Sequence, residues 1–247
     1  MKPSLYLQLW SLRHSTSTDA EGALRQVRGL GYDGVELAGD YGWSAERWRA
    51  LLDETGLKAL SAHVGLDSLE SDLAAKLAFH RALGVECIVV PALNRELQTS
   101  DGYREAARRL NVLGAQMNAE GFRLGYHNHD FEFARLPGTQ EVGMDILLAN
   151  TDPALVGFEF DAFWLETAGR DAVDFIRERS RRVLFIHAKD LRKRDRQDVP
   201  VGQGDVDFRA LIPLCTANRW PVVVEYEGAN ATASVREGAA YLRPLMG

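Results

Sequence analysis

Four residues that could bind a metal ion stand at the ends of short apolar runs in the second half of the chain. The runs are rich in β-branched and aromatic residues, which is typical of buried strands. Side chains alternate along a strand, so each polar end residue and its apolar neighbour point to opposite faces. Two imidazoles and two carboxylates suit Mn, Co, Zn, Fe or Ni better than Ca. The sequence predicts one divalent metal ion, with Mg also open, bound by His127, Asp161, His187 and Glu225.

Three residues near these runs could move or hold a proton. A carboxylate such as Glu225, bound to metal through one oxygen, keeps a second oxygen that can accept a proton. Glu132 lies in the loop after the first run and could be a further carboxylate ligand or base; a surface or supporting acid is the alternative. Lys189 lies two residues after His187 and therefore points to the same side of the strand. It could hold a substrate oxygen, or instead form an ion pair with a carboxylate on a neighbouring strand such as Glu159.

Five further residues are candidates for contact with a polyol substrate. The histidine and the acid at the ends of earlier runs could line the opposite wall of a pocket or only make structural hydrogen bonds. The two tryptophans could pack on a sugar ring or belong to the core or rim. The histidine two residues after His127 points the same way and could support it. These candidates are Glu36, His63, Trp10, Trp164 and His129.

The elements that would position these residues alternate along the 247-residue chain. Amphipathic helical stretches are predicted at 23–30, 45–55, 69–83, 103–120, 144–150, 172–180, 208–218 and 235–242. Short apolar runs are predicted as strands at 5–10, 34–37, 57–63, 87–91, 122–127, 156–161, 183–187 and 221–225. The first four helices end at glycine, which adopts the left-handed conformation without strain.

About eight strand–helix units in about 250 residues predict a single α/β domain over residues 1–247, a (β/α)8 TIM barrel. A doubly wound open sheet is the alternative, but the segment after the first strand has no glycine-rich phosphate loop. In such a barrel the active site lies at the carboxyl ends of the strands. The charged, glycine-bearing segment 192–205 follows the seventh strand on that face, and we expect it to be a mobile lid.

Composition limits the classes of partner. Lys and Arg number 29 against 35 Asp and Glu, a net charge of −6, which argues against a nucleic-acid surface. Two cysteines, Cys87 and Cys215, are too few for a disulfide framework and suit a reducing compartment. Ser4 and Gln8 interrupt the apolar start, so neither a signal peptide nor a membrane helix is predicted. We expect a cytoplasmic protein that acts on a small molecule, with homo-oligomerisation open.

Nearly the whole chain resembles the xylose-isomerase-like TIM-barrel family. The resemblance includes the segments LQLWSLR at 7–13, GYDGVEL at 31–37 and SAH at 61–63. Most distinctive are HAKD at 187–190 and GQGDVDF at 202–208. Members usually hold one divalent metal with Glu, Asp, His and Glu from strands five to eight. Asp161, His187 and Glu225 match the last three, whereas His127 stands in place of the first glutamate.

The resemblance implies a metal-dependent isomerase or epimerase that abstracts a proton next to the carbonyl of a sugar, sugar phosphate or keto-sugar. In epimerases of the family two metal-bound glutamates resemble an acid/base pair. A metal-bound imidazole has no free lone pair, so His127 removes one candidate base. This departure strengthens the alternative, a dehydratase or lyase on a keto-sugar or inosose, while the resemblance keeps isomerase or epimerase as the leading expectation. Remote alternatives are an endonuclease IV-like repair enzyme, disfavoured by six histidines and the negative charge, and a non-catalytic sugar-binding module.

Overall fold

The computed structural model describes residues 4–247, and its central feature is a closed barrel of eight parallel strands. Each barrel strand pairs with the barrel strands before and after it in the chain, and the last pairs with the first. The predicted TIM-barrel fold is therefore confirmed and the open sheet is excluded. The first strand is shorter than predicted, because residues 9–12 form a turn of 3-10 helix. The barrel strands are β1 (Leu5–Gln8), β2 (Gly34–Leu37), β3 (Lys58–His63), β4 (Cys87–Val90), β5 (Arg123–His127), β6 (Val156–Asp161), β7 (Val183–Ala188) and β10 (Val222–Val224).

Helices connect the strands and cover the outside of the barrel. Polar side chains cap several helix starts; Ser44, for example, accepts a hydrogen bond from the Arg47 N–H. Gly56 and Gly84 end their helices with φ of 66° and 80°, where other residues would be strained. The helix predicted at 69–83 is two helices, because Asp72 leaves helical geometry and caps the second one. The helices are α1 (Arg13–Gly29), α2 (Ala45–Thr55), α3 (Leu66–Ser71), α4 (Leu73–Leu83), α5 (Ser100–Ala119), α6 (Gly143–Asn150), α7 (Ala162–Thr167), α8 (Ala172–Glu178), α9 (Phe208–Asn218) and α10 (Ala231–Leu245).

The barrel interior is layered from apolar to polar. Its lower part is a separate buried apolar cluster, formed by inward-facing side chains that do not join the core between strands and helices. The inward positions nearer the carboxyl ends of the strands carry acids, amides and histidines. A water-poor floor beneath polar groups strengthens their interactions. The floor residues are Tyr6, Cys87, Val89, Phe185 and Val223.

The segment after β7 is an antiparallel hairpin and not an irregular lid. Its strands are β8 (Asp190–Arg192) and β9 (Gln197–Val199), with Leu191 opposite Asp198. The buried Asp190 carboxylate fastens the following loop by accepting hydrogen bonds from the backbone N–H groups of Gly202, Gly204 and Val206. The expectation of an irregular segment at 192–205 is therefore wrong, because strand pairing and these three bonds order it, and its movement as a lid stays a prediction.

Among residues 4–247 no helix combines the length and apolar character needed to cross a membrane.

Candidate metal centre

The imidazole of His187 lies at the centre of the polar layer. Its strand, β7, lies between β6 and β10, with His187 in register with Asp161 on one side and Val223 on the other. Its apolar neighbours Ile186 and Ala188 are buried on the opposite, helix-facing side. The ring is fully buried, and its two nitrogens face two different groups of side chains.

The group at Nδ1 of His187 contains the four residues that the sequence predicted as ligands. One ligand atom from each lies within 4.8 Å of the others. Nδ1 is 3.6 Å from Asp161 Oδ2 and 3.5 Å from Glu225 Oε2, and His127 Nε2 is 3.4 Å from Asp161 Oδ2. Metal–ligand bonds of about 2.0–2.2 Å in a tetrahedron separate ligand atoms by about 3.3–3.6 Å. We call these four residues the outer group; their spacing fits a metal ion better than direct hydrogen bonds.

Hydrogen bonds set the tautomers that metal binding requires. His127 Nδ1 lies 3.2 Å from the Pro91 carbonyl oxygen, which can only accept, so Nδ1 carries the proton and Nε2 presents its lone pair. His187 Nε2 lies 2.8 Å from a Glu36 carboxylate oxygen, which likewise places its proton on Nε2. His187 Nδ1 is buried and has no hydrogen-bond partner within residues 4–247. An unpartnered lone pair aimed at two carboxylates and an imidazole matches what a bound cation needs.

The group at Nε2 of His187 is packed more tightly. It contains Glu36, His63 and Glu159, whose ligand atoms also lie within 4.8 Å of one another and of His187. His63 Nε2 lies 2.7 Å from Glu159 and 3.2 Å from Glu36, and His187 Nε2 lies 3.0 Å from Glu159. These are mostly hydrogen-bond distances, shorter than the spacing around an ion. We call Glu36, His63 and Glu159 the inner group and interpret it as a hydrogen-bonded support.

The surrounding carboxylates favour protonation of both His187 and His63, and a cation bound at His187 Nδ1 would take the place of the proton there. Burial lowers the pKa of His187, but Glu159 and the neighbouring carboxylates outweigh it and hold that pKa well above the usual value. Burial likewise opposes a raised pKa at His63, where Glu36 and Glu159 prevail. Glu36 is fixed by further donors, because the Gln8 amide and the Ser61 hydroxyl donate to it at 2.7 and 2.6 Å.

Lys189 occupies the mouth beside the outer group. Its ammonium forms an ion pair with Glu227 and lies 3.8 Å from Glu225 Oε2. It also lies 5.0 and 4.8 Å from the ring centroids of Phe163 and Trp164. Burial would raise the pKa of Glu225, yet Lys189 and the neighbouring imidazoles hold it far below the usual value, so this carboxyl is ionised. The ion-pair alternative for Lys189 thus holds with Glu225 and Glu227 and not with Glu159.

Glu132 does not join the outer group. It is buried on the other side of β5, where it accepts hydrogen bonds from the Tyr126 hydroxyl at 2.6 Å and the His129 backbone N–H at 2.8 Å. Tyr126 packs outward against the helices, and the hydrogen bond from its hydroxyl holds the Glu132 carboxylate on that side of the strand. Glu132 therefore does not supply a ligand to the outer group, and its role as a base stays a prediction. Burial raises the pKa of Glu132 to about 7.

The aromatic candidates divide between the mouth and the rim. The His129 ring centroid lies 4.9 Å from that of His127 and 5.1 Å from that of Trp164. Burial and the neighbouring His127 lower the pKa of His129 to about 3, so this ring is neutral. His129 Nδ1 and Trp164 Nε1 are buried without hydrogen-bond partners in the described chain, and contact of these two residues with substrate stays a prediction. Trp10 is half exposed in the turn after β1, 5.3 Å from the Arg13 guanidinium, and its contact with substrate stays a prediction.

Sequence reasoning named Glu159 only as a possible ion-pair partner of Lys189 and gave Gln8 no place in this site. Glu159 is two residues before Asp161 on β6, so strand alternation puts both on the inward face, and that signal was available. Gln8 ends β1 in the same way. The arrangement as a whole can bind a divalent cation, accept a proton at Glu225 and present a cation and two aromatic rings to a polar ligand.

Comparison with known proteins gives a relative along nearly the whole chain. An inosose dehydratase from Clostridium perfringens is 24% identical over 263 aligned residues, which cover 90% of this chain and 87% of that protein.

Solved structures share the fold. A sugar phosphate isomerase/epimerase from Parabacteroides distasonis superimposes with a TM-score of 0.87 at 25% identity, covering 99% of this chain and 100% of that one. The IOLI protein, solved with a bound zinc atom, superimposes with a TM-score of 0.72 at 13% identity and covers 98% of each chain. The family model described as xylose isomerase-like TIM barrel matches residues 24–245. With the closed barrel and the residues at its strand ends, this match places the chain in the xylose isomerase-like TIM barrel family.

Proposed function

We propose that the protein is a metal-dependent dehydratase, a lyase that removes water from a keto-cyclitol or keto-sugar. The observation that carries the proposal is the makeup of the outer group, which has one ligand carboxylate free to act as a base. Asp161 Oδ1 accepts a hydrogen bond from the Trp164 backbone N–H at 3.1 Å, at the N-terminus of α7. Glu225 accepts no comparable backbone hydrogen bond among residues 4–247. His127 stands where members of the family usually have a second metal-binding glutamate.

A single ligand carboxylate that can act as a base suits elimination better than epimerisation. An epimerisation that removes a proton from one face of a carbon and returns one to the opposite face needs two proton-transfer groups. A β-elimination needs a base at the carbon next to the carbonyl and a proton donor at the neighbouring hydroxyl. The similarity to inosose dehydratase supports the same choice.

A divalent ion held by the outer group would polarise the substrate carbonyl and offset the negative charge that develops on its oxygen. Glu225, ionised beside Lys189, would take the proton from the adjacent carbon. Lys189 and the neutral His129 would hold substrate oxygens, and Trp164 would donate its indole N–H to another. The inner group keeps the His187 ring oriented throughout.

Isomerisation or epimerisation of a sugar or sugar phosphate is the second candidate. It is supported by the likeness to the Parabacteroides distasonis protein, which is named for that activity. Both candidates begin with proton abstraction next to a carbonyl. They differ in whether the electrons are returned to carbon with a proton or expel a hydroxyl.

The test incubates the Mn²⁺-, Co²⁺- or Zn²⁺-loaded protein with scyllo-inosose in D₂O and, separately, with D-fructose. The proposal predicts water loss from the inosose, seen as the absorbance of a conjugated enone, together with deuterium exchange next to the carbonyl. Glu225→Gln should lower both by ~10²–10⁴-fold, the usual contribution of a general base. Glu178→Gln, an exposed change of the same chemistry, is the matched control.

Exchange without water loss, or conversion of D-fructose into other ketoses, would favour the second candidate. Equal turnover by Glu225→Gln and the wild type would remove Glu225 as the base.

A further inference from the structure

The hairpin after β7 carries a carboxyl group to the mouth of the barrel. Asp198 stands in β9 with its side chain partly buried, next to strand neighbours that face the other way. The hairpin is fastened through Asp190, so Asp198 sits on an ordered element. It lies near three charged groups of the site, Lys189, Glu225 and Asp161.

The two oxygens of Asp198 are in different situations. Oδ2 accepts a hydrogen bond from the Glu227 backbone N–H at 2.7 Å, which fixes the carboxyl group to the loop after β10. Oδ1 is buried and has no hydrogen-bond partner within residues 4–247. A buried carboxylate oxygen without a partner is costly. A proton on Oδ1, donated to a substrate oxygen, would relieve that cost.

Burial favours the protonated form of Asp198. It raises the pKa of Asp198 to about 7, although the Lys189 ammonium and the Glu227 backbone N–H oppose this. A buried carboxyl group that keeps its proton near neutral pH can act as a general acid.

We propose that Asp198 is the general acid of the reaction and protonates the hydroxyl that leaves. This rests on the proposed dehydration. Glu225 takes the proton from the carbon next to the carbonyl, and the electrons of that C–H bond form the C=C bond. The C–O bond at the neighbouring carbon breaks, and its oxygen leaves as water with the Asp198 proton. Glu225 then loses a proton to solvent and Asp198 regains one, so no oxidant or reductant is needed.

The experiment compares Asp198→Asn with the wild-type protein on scyllo-inosose in D₂O. The asparagine amide oxygen can still accept from the Glu227 N–H, but the group cannot donate an acidic proton. We expect water loss to fall by ~10²–10⁴-fold while deuterium exchange at the carbon next to the carbonyl continues. Asp195→Asn, at the exposed tip of the same hairpin, is the control and should change neither rate.

A second substrate separates acid catalysis from a structural role. An inosose analogue with fluorine in place of the departing hydroxyl expels fluoride, which needs much less help from a proton. Asp198→Asn should eliminate fluoride within about tenfold of the wild-type rate. Loss of exchange and of fluoride release together, or water loss at the wild-type rate, would overturn the assignment. A wild-type protein that exchanges deuterium but loses no water would instead overturn the proposed dehydration.

Discussion

The two nitrogens of His187 face groups of similar chemistry but different spacing. On the Nε2 side, the Glu36 carboxylate accepts its proton at 2.8 Å, and a Glu159 oxygen lies 3.0 Å away. On the Nδ1 side, the nearest oxygens of Asp161 and Glu225 are 3.5–3.6 Å away and the nitrogen has no partner in the described chain. One ring therefore separates a closed hydrogen-bonded group from an open one.

The difference shows that residue type alone does not identify a metal site. Both groups combine imidazoles with carboxylates, and in both the possible ligand atoms lie within 4.8 Å of one another. In the inner group, Glu36 is hydrogen-bonded to Gln8, Ser61 and His187, and one oxygen of Glu159 is hydrogen-bonded to His63. The outer group opens towards Lys189 and the aromatic rings of the mouth. We infer that the inner group orients His187 and that the outer group binds the ion.

Removing the shared ring should have the largest effect. His187→Ala deletes a ligand of the outer group and the hydrogen-bond donor of the inner one. We expect the metal affinity to fall by more than the about 10–100-fold that losing a supporting partner of a metal-ligating histidine costs. Metal content after dialysis, measured by elemental analysis, checks this, with the exposed His14→Ala as control. Full metal content in His187→Ala would contradict the account.

Changing the inner group should weaken binding without abolishing it. Glu159→Gln keeps the shape but replaces a carboxylate that is hydrogen-bonded to His63 and lies 3.0 Å from His187 Nε2 by a neutral amide. We expect metal affinity to fall by about 10–100-fold, with a full site recovered at high metal concentration. Titration with Co²⁺ followed by its visible absorption measures the shift, against Glu178→Gln as control. An unchanged affinity would remove the supporting role, whereas no binding at any concentration would make Glu159 a ligand.

Glu132, outside both groups, should leave the metal affinity unchanged and alter only the pH dependence of stability. Its pKa is raised on folding, from 4.5 to about 7, so its contribution is present at low pH and is lost as pH rises between those values. Glu132→Gln does not titrate. Its free energy of unfolding should therefore improve relative to wild type by up to ~1.4 kcal/mol per pH unit across this window. Denaturant unfolding between pH 4.5 and 7 measures it, and a constant difference would contradict the raised pKa.

The barrel and the outer group could be predicted from the sequence because both depend on local periodicity. Strand alternation places His127 and Asp161 on the inward face whatever the helices do. The same rule applied to Glu159 would have found the inner group. Alternation could not reveal that Glu132 turns away, because its direction depends on the Tyr126 hydroxyl across the strand.

The hairpin was missed for a different reason. Its two strands are three residues each, too short for a periodic signal, and the intervening residues are charged. Its order depends on Asp190, whose bonds to the loop at 202–206 come from tertiary contact. The position of Asp198 at the mouth follows from that contact and not from its neighbours in sequence.

The most direct test of the account is a crystal structure of the Mn²⁺- or Zn²⁺-loaded protein with anomalous scattering data. The account predicts one strong anomalous peak bound by His127 Nε2, His187 Nδ1 and the carboxylates of Asp161 and Glu225, with Glu36 still hydrogen-bonded to His187 Nε2 and Glu159 to His63. A peak bound instead by Glu36, His63 and Glu159, or one from which His127 is absent, would contradict it.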